Sequence, residues 1–304
     1  MIYGLIAAAG WGVSSLAAAQ AARQMGTLAA LLISQITGTV ALTAVLAVMR
    51  PHLPSLPSAT MWGLAGAGFF SLLGWLTYYR ALEHGPVGIV SGAAATYGGV
   101  TALLALLVLG EPLGRYVGLG DALAVAGVVA AAMQAPGRKK RAGDRKTWSG
   151  VMLAVVSAVT YGTGAFWLGT YAASAGWLVS ALVVDIIAVT VLAAALICKR
   201  ERPRGGVGMA WAIAAGVAES AALVAFARGG QAGQIGITAA VSSTYPLIPL
   251  AFGLVLFRER LSALQVMGVC VAVTGLTLVS MSSGLVLVDA GRGAGPLGPV
   301  QWGR

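Results

Sequence analysis

Ten stretches of this chain are long and apolar enough to cross a bilayer, and that restricts the fold before any motif is considered. A spanning helix needs ~20 mostly apolar residues at ~1.5 Å of rise each. Runs of that length, bounded by charges and Pro/Gly breaks, lie near 2–22, 27–49, 60–82, 87–109, 114–134, 148–171, 177–198, 208–228, 235–257 and 262–282. Backbone polar groups in lipid must be satisfied within their own segment, so each run is expected to be a helix. Hydrophobic residues make up 58% of the 304 and charged residues only 9%, against about 25% in soluble domains. No water-soluble core hides that much apolar surface. Disorder, a disulfide scaffold and an ordinary soluble enzyme are excluded, leaving an all-α membrane protein of ten transmembrane helices.

The formal charge of +10 does not point to nucleic acid, because the basic residues cluster beside apolar runs. Six lie between Arg138 and Lys146 and four between Lys199 and Arg204. Clusters of this kind set orientation, the basic side facing the cytoplasm. Span parity puts fourteen of the 19 basic residues on one side; only Arg50, Arg115, Arg228, Arg292 and Arg304 fall opposite. Both termini are therefore expected outside the cytoplasm. No basic residue precedes Arg23, so residues 2–22 lack the charged start of a cleaved signal and read as a retained span. Cys198 and Cys270 lie in apolar runs and read as small packing residues, not as a disulfide framework or a metal site.

The chain also repeats itself. Trp11-Gly12 returns as Tyr161-Gly162, 150 positions later, and around it Gly4, Ala8 and Gly12 correspond to Ala154, Ala158 and Gly162. Small residues at every fourth position let helices approach closely. At a spacing of 148, Arg80, Gly88, Tyr97, Glu111 and Gly127 recur as Arg228, Gly236, Tyr245, Glu259 and Gly275. The expected organisation is one five-helix repeat over 1–137, a basic connector over 138–147, a second repeat over 148–282 and a loose tail over 283–304. Five is odd, so the second copy is inverted relative to the first. Such repeats characterise secondary transporters, whose substrate site lies near mid-membrane where the repeats meet.

The fourth span ends Leu109-Gly110-Glu111-Pro112-Leu113, followed by Gly118, Gly120 and Ala126-Gly127. Its copy reads Phe257-Arg258-Glu259-Arg260-Leu261-Ser262, then Gln265, Gly268 and Thr274-Gly275. With the Trp-Gly and Tyr-Gly helices, these residues resemble the drug/metabolite transporter superfamily, in particular the bacterial EamA-type exporters. Within that group the chain is most similar to the aromatic amino acid exporters. The resemblance implies a basket of ten helices whose central cavity is lined by the first, third, fourth, sixth, eighth and ninth.

Glu219 falls about eleven residues into the eighth span, near mid-membrane. A charged side chain there costs ~2.5–3.5 kcal/mol on insertion scales. It is either a cavity acid that meets a substrate amine or carries a proton, or a neutral acid hydrogen-bonded to a neighbouring helix. Its repeat counterpart is Ser71, so the halves would line a site unequally. Asp185, whose counterpart is Gln35, reads as half of an interhelical hydrogen bond. Asp121 reads as structural or interfacial, and Glu111 and Glu259 as helix-junction acids that accept from freed backbone N–H groups.

The candidate substrate contacts are Trp11, Ser14, Tyr78, Tyr79, Tyr97, Trp167, Glu219, Ser242 and Tyr245. Tyr97, Trp167 and Tyr245 lie deepest and suit an aromatic wall for an apolar side chain. Pro246 and Pro249 are expected to kink the ninth span. Trp62 and Trp211, at matching span starts, read as interfacial anchors. Neither His52 nor His84 lies in a span, and no HExxH, CxxC or Walker sequence occurs. No cofactor and no enzymatic activity are expected. A phosphate-bearing substrate would call for intramembrane Arg or Lys, and Arg80 and Arg228 lie only at span ends. The expected function is gradient-driven export of amino acids, aromatic and large apolar ones favoured, across the bacterial inner membrane. Export of cationic or amphiphilic compounds is the alternative. The expected partners are the small-molecule substrate and membrane lipid.

Overall fold

The computed structural model describes residues 1–49, 56–84, 87–110, 117–132, 144–199, 206–232, 235–249 and 251, with scattered positions from 264 to 278. Its helices are α1 (Ile2–Met25), α2 (Thr27–Met49), α3 (Ser58–His84), α4 (Val87–Ala94), α5 (Tyr97–Leu109), α6 (Val117–Ala132), α7 (Asp144–Ala175), α8 (Trp177–Lys199), α9 (Val207–Gln231) and α10 (Ile235–Ser242). No strand occurs among the described residues. Seven helical segments there are long and apolar enough to span a membrane. The fold is that of a multi-pass helical membrane protein. Glu111, Glu259, the side chain of Asp121, most of the tenth span, the connector before Asp144 and the tail lie outside the described residues.

Seven of the expected spans are single helices, and two are broken. The fourth is divided between α4 and α5 at Ala95–Thr96, and the ninth turns through residues 243–246 after α10. At both breaks the backbone tightens from i−4 to i−3 bonding, as in a 3₁₀ turn. Thr96 and Gly98 donate to Ala93 and Ala95, and Thr244 and Tyr245 donate to Val241 and Ser242. Each threonine also sends its hydroxyl to the carbonyl three residues back, at 2.9 Å for Thr96 and 2.7 Å for Thr244. Pro246 explains the second break, since it has no N–H to continue the ladder. The first break has Gly98 at the equivalent place. A tyrosine follows each threonine, so the breaks aim Tyr97 and Tyr245 inward.

The joints between α1 and α2 and between α7 and α8 are single glycines. Gly26 has φ 83° and ψ 156°, a region essentially reserved for glycine. Its N–H bonds the Ala22 carbonyl at 2.9 Å. Gly176 repeats this with φ 82° and a 3.0 Å bond to Ala172.

Packing is reciprocal. α1 lies along α9 and α10, while α7 lies along α3, α4 and α5. Lipid tails are as apolar as leucine, so contact between helices must come from close van der Waals fit. Alanine and glycine supply it. Ala8, Ala18, Ala22, Ala158, Ala212, Ala215 and Ala222 are all buried. A Cβ added at Gly74 would lie 2.7 Å from the Tyr161 Cβ, and one at Gly10 would lie 2.7 Å from the Ala218 carbonyl. The repeated stripes do as expected: Gly4 and Gly12 face Val241 and Ile248, and Gly162 faces Tyr97 and Val100.

Outward faces carry Val40, Leu107 and Ile197, all exposed. Trp62 and Trp211 are exposed near the starts of α3 and α9. The cysteines depart from expectation. Cys198 and Cys270 are both exposed and free, because their helix faces point outward and do not pack.

Candidate functional site

The site is built around one carboxylate. Glu219, on α9, is 8% exposed and accepts three hydrogen bonds. Trp11 Nε1 and Trp75 Nε1 both donate to Oε1 at 3.0 Å, and Ser14 Oγ donates to Oε2 at 3.1 Å. Three donors offset part of the desolvation that burying a carboxylate entails. Trp11 and Ser14 come from α1, which packs along α9, and Trp75 comes from α3. The arrangement exists only where these three helices converge.

Around the carboxylate lies a cavity lined by Trp11, Ser14, Ser15, Trp75, Tyr78, Tyr79, Ala94, Tyr97, Ser157, Tyr161, Glu219 and Tyr245. These residues belong to α1, α3, α4, α5, α7, α9 and the turn after α10, the six spans that the resemblance implies. Its rings lock edge to face, the geometry aromatic quadrupoles favour. Tyr97 stands 5.2 Å from Tyr161 at 77°, and Trp11 stands 5.7 Å from Tyr97 at 87° and 5.8 Å from Tyr161 at 85°.

Several of the tyrosine hydroxyls are tethered to neighbouring helices. Tyr78 Oη donates to Ser15 Oγ at 2.9 Å and shares a 2.8 Å bond with Ser91 Oγ. Tyr79 Oη donates to Ser34 Oγ at 3.2 Å, and Tyr245 Oη donates to the Ser91 carbonyl at 3.2 Å. Such bonds fix the rings. Among the described residues the result is an aromatic box with a single acid in it. Among the described lining residues there is no lysine, arginine or histidine. Arg228 is exposed and stacks on the Trp177 ring at 5.3 Å instead.

Seven of the nine candidate contacts named from sequence meet here: Trp11, Ser14, Tyr78, Tyr79, Tyr97, Glu219 and Tyr245. Ser242 stands behind the wall, its Oγ 2.6 Å from Tyr97 Oη, and orients that ring. Trp167 is elsewhere. It is half-buried, 6.2 Å from Phe70 and 6.4 Å from Tyr171, and lies over Gly66 of α3. It stands on a different face of α7 from Tyr161, six residues away.

Trp75 and Tyr161 were not among those nine, nor were Ser15 and Ser157. Trp75 has a signal in retrospect, since it precedes Tyr78 and Tyr79 by three and four positions and so shares their helix face. Ser71, the counterpart of Glu219, is buried against Gly164 of α7 and does not line the cavity. The interhelical hydrogen bond expected of Asp185 is not made: both Asp185 oxygens, and Gln35 Nε2 as well, are buried without a hydrogen-bond partner. The Asp185 carboxylate instead comes against Gly38, one turn along α2 from Gln35.

The sequence matches the EamA-like transporter family over residues 1–133 and 148–281, and the chain belongs to that family. It is a membrane transporter. The crystal structure of another protein is similar in fold, with a TM-score of 0.72 at 16% identity over 94% of this chain and 97% of that one. No curated protein matches in sequence.

Proposed function

We propose that this chain exports solutes carrying an ammonium group on an aromatic or apolar body, aromatic amino acids among them, from the bacterial cytoplasm by alternating access. The observation that carries this reading is the Glu219 carboxylate, held by three donors in an aromatic box. A carboxylate attracts an ammonium, and ring faces attract it again through their quadrupoles, by about 0.5–2 kcal/mol each. The ring area suits the apolar remainder of the solute. No resident cofactor is invoked, and the motion is assigned to two inverted five-helix halves in the inner membrane with both termini periplasmic. The shared one-residue joints, the two mid-span breaks and the reciprocal packing support that arrangement.

One observation favours the alternative of a purely cationic solute. An amino acid brings a carboxylate as well, and no basic side chain lines the described cavity to receive it. Proteoliposome uptake separates the two with three probes of one size class: phenylalanine, phenyltrimethylammonium and benzenesulfonate. Uptake of the first two but not the third is expected. Uptake of phenyltrimethylammonium alone selects the cation reading, and uptake of benzenesulfonate at a comparable rate rejects both.

A further inference from the structure

Behind the cavity lies a second buried acid that the site above does not use. Asp185, midway along α8, is 1% exposed, and neither of its oxygens has a hydrogen-bond partner. It enters the space that Gly38 leaves open on α2, where a Cβ would lie 2.8 Å from Asp185 Oδ2. Ser220 Oγ of α9 closes on the same glycine. Ser220 follows Glu219 in the chain, so the two acids stand on neighbouring sides of one α9 turn. On the same face of α2, one turn before Gly38, Gln35 is 2% exposed and its Nε2 is likewise unpartnered. Ser34 connects this junction to the cavity through its hydrogen bond from Tyr79.

Unsatisfied buried polar groups are uncommon and costly, about 1–3 kcal/mol each and more for an ion. Three such atoms at one junction call for a ligand that comes and goes. The titratable groups whose charge Asp185 feels are Glu219 on α9 and Tyr161 on α7. α2 carries no acid or base. On α3, Tyr78 and Tyr79 are tied to serines, while Arg80 is exposed near the helix end, as are Arg228 on α9 and Lys199 on α8. Among the described residues no cation is placed to neutralise the carboxylate, and two oxygens are too few to cage a metal ion.

We propose that Asp185 is a proton-binding site that couples solute export to proton entry, and this rests on the ammonium-solute reading above. When an ammonium solute enters from the cytoplasm, the Asp185 O–H bond breaks and its proton passes to cytoplasmic water; the new negative charge balances the charge that entered. After the solute leaves on the other face, a proton from that side re-forms the O–H bond. One solute leaves for each proton admitted.

The test uses the full chain in liposomes with the membrane potential clamped and phenyltrimethylammonium as the probe, which is impermeant and does not titrate. With the lumen acidic, wild type should accumulate it about tenfold per pH unit, the limit for one proton exchanged per solute. Asp185→Asn should exchange the probe yet accumulate none. Equal accumulation by Asp185→Asn overturns the proposal, as does wild-type accumulation indifferent to the pH gradient. Infrared spectra give a second reading that needs no solute. Reconstituted wild type should show a carboxylic-acid C=O band that vanishes on alkalinisation and is missing from Asp185→Asn but present in Glu219→Gln. If wild type has no such band, the proposal fails, whether or not the variant folds. A titrating band in a protein that carries none of the probes would sink the ammonium reading and leave the proton site standing.

Discussion

Glu219 shows how one side chain sets the chemistry of the whole cavity. Glu219→Gln keeps size and can still accept from the two indoles, but it removes the charge. A hydrogen bond to a charged group is worth about 1.5–3 kcal/mol, so initial rates for ammonium probes should fall about 10- to 100-fold in proteoliposomes. The variant's melting temperature in detergent should stay close to wild type, which separates loss of function from loss of fold. Tyr97→Ala removes ring area next to Trp11 and Tyr161, so uptake of phenylalanine should suffer more than that of alanine. Trp167→Ala should leave that ratio unchanged, because Trp167 packs beside Phe70 and outside the cavity. In the sequence, Glu219, Trp11 and Ser14 were legible because polar or amphipathic groups stand out in an apolar run. Trp75 and Trp167 were not separable that way. Only three-dimensional packing tells an inward indole from an outward one, and that depends on which helix lies alongside.

At the scale of the element, the glycine joints and the mid-span breaks shape the molecule. Gly26→Ala and Gly176→Ala force a side chain into a backbone region that excludes it, at a cost of about 1–3 kcal/mol each. Thermal unfolding in detergent should detect both losses, and by similar amounts, since the two joints have the same φ and the same closing bond. A pronounced loss at one joint only would mean that they are not equivalent. The span lengths were legible in hydropathy because lipid leaves few alternatives to helix. The break after α10 was legible in Pro246. The break at Ala95–Thr96 was not, since glycine and threonine within an apolar run are compatible with continuous helix and no residue there lacks an N–H. The clue was positional: Thr96-Tyr97 and Thr244-Tyr245 stand 148 residues apart.

For the whole molecule, charge and packing make separate predictions. The excess of basic residues on one side of the spans predicts both termini outside the cytoplasm. A periplasm-active reporter fused after Arg304 should give signal, and signal only from a cytoplasm-active one would reverse the orientation. Packing predicts interdependence. α1 finds its partners in α9 and α10, and α7 finds its own in α3, α4 and α5, so each end of the chain completes the other. Fragments 1–137 and 148–304 produced together should restore transport of phenylalanine or phenyltrimethylammonium, while either alone should be degraded. In hereditary terms, the halves are no longer free to drift apart. A change on α1 is judged by α9 and a change on α7 by α3, so these segments are held in mutual account.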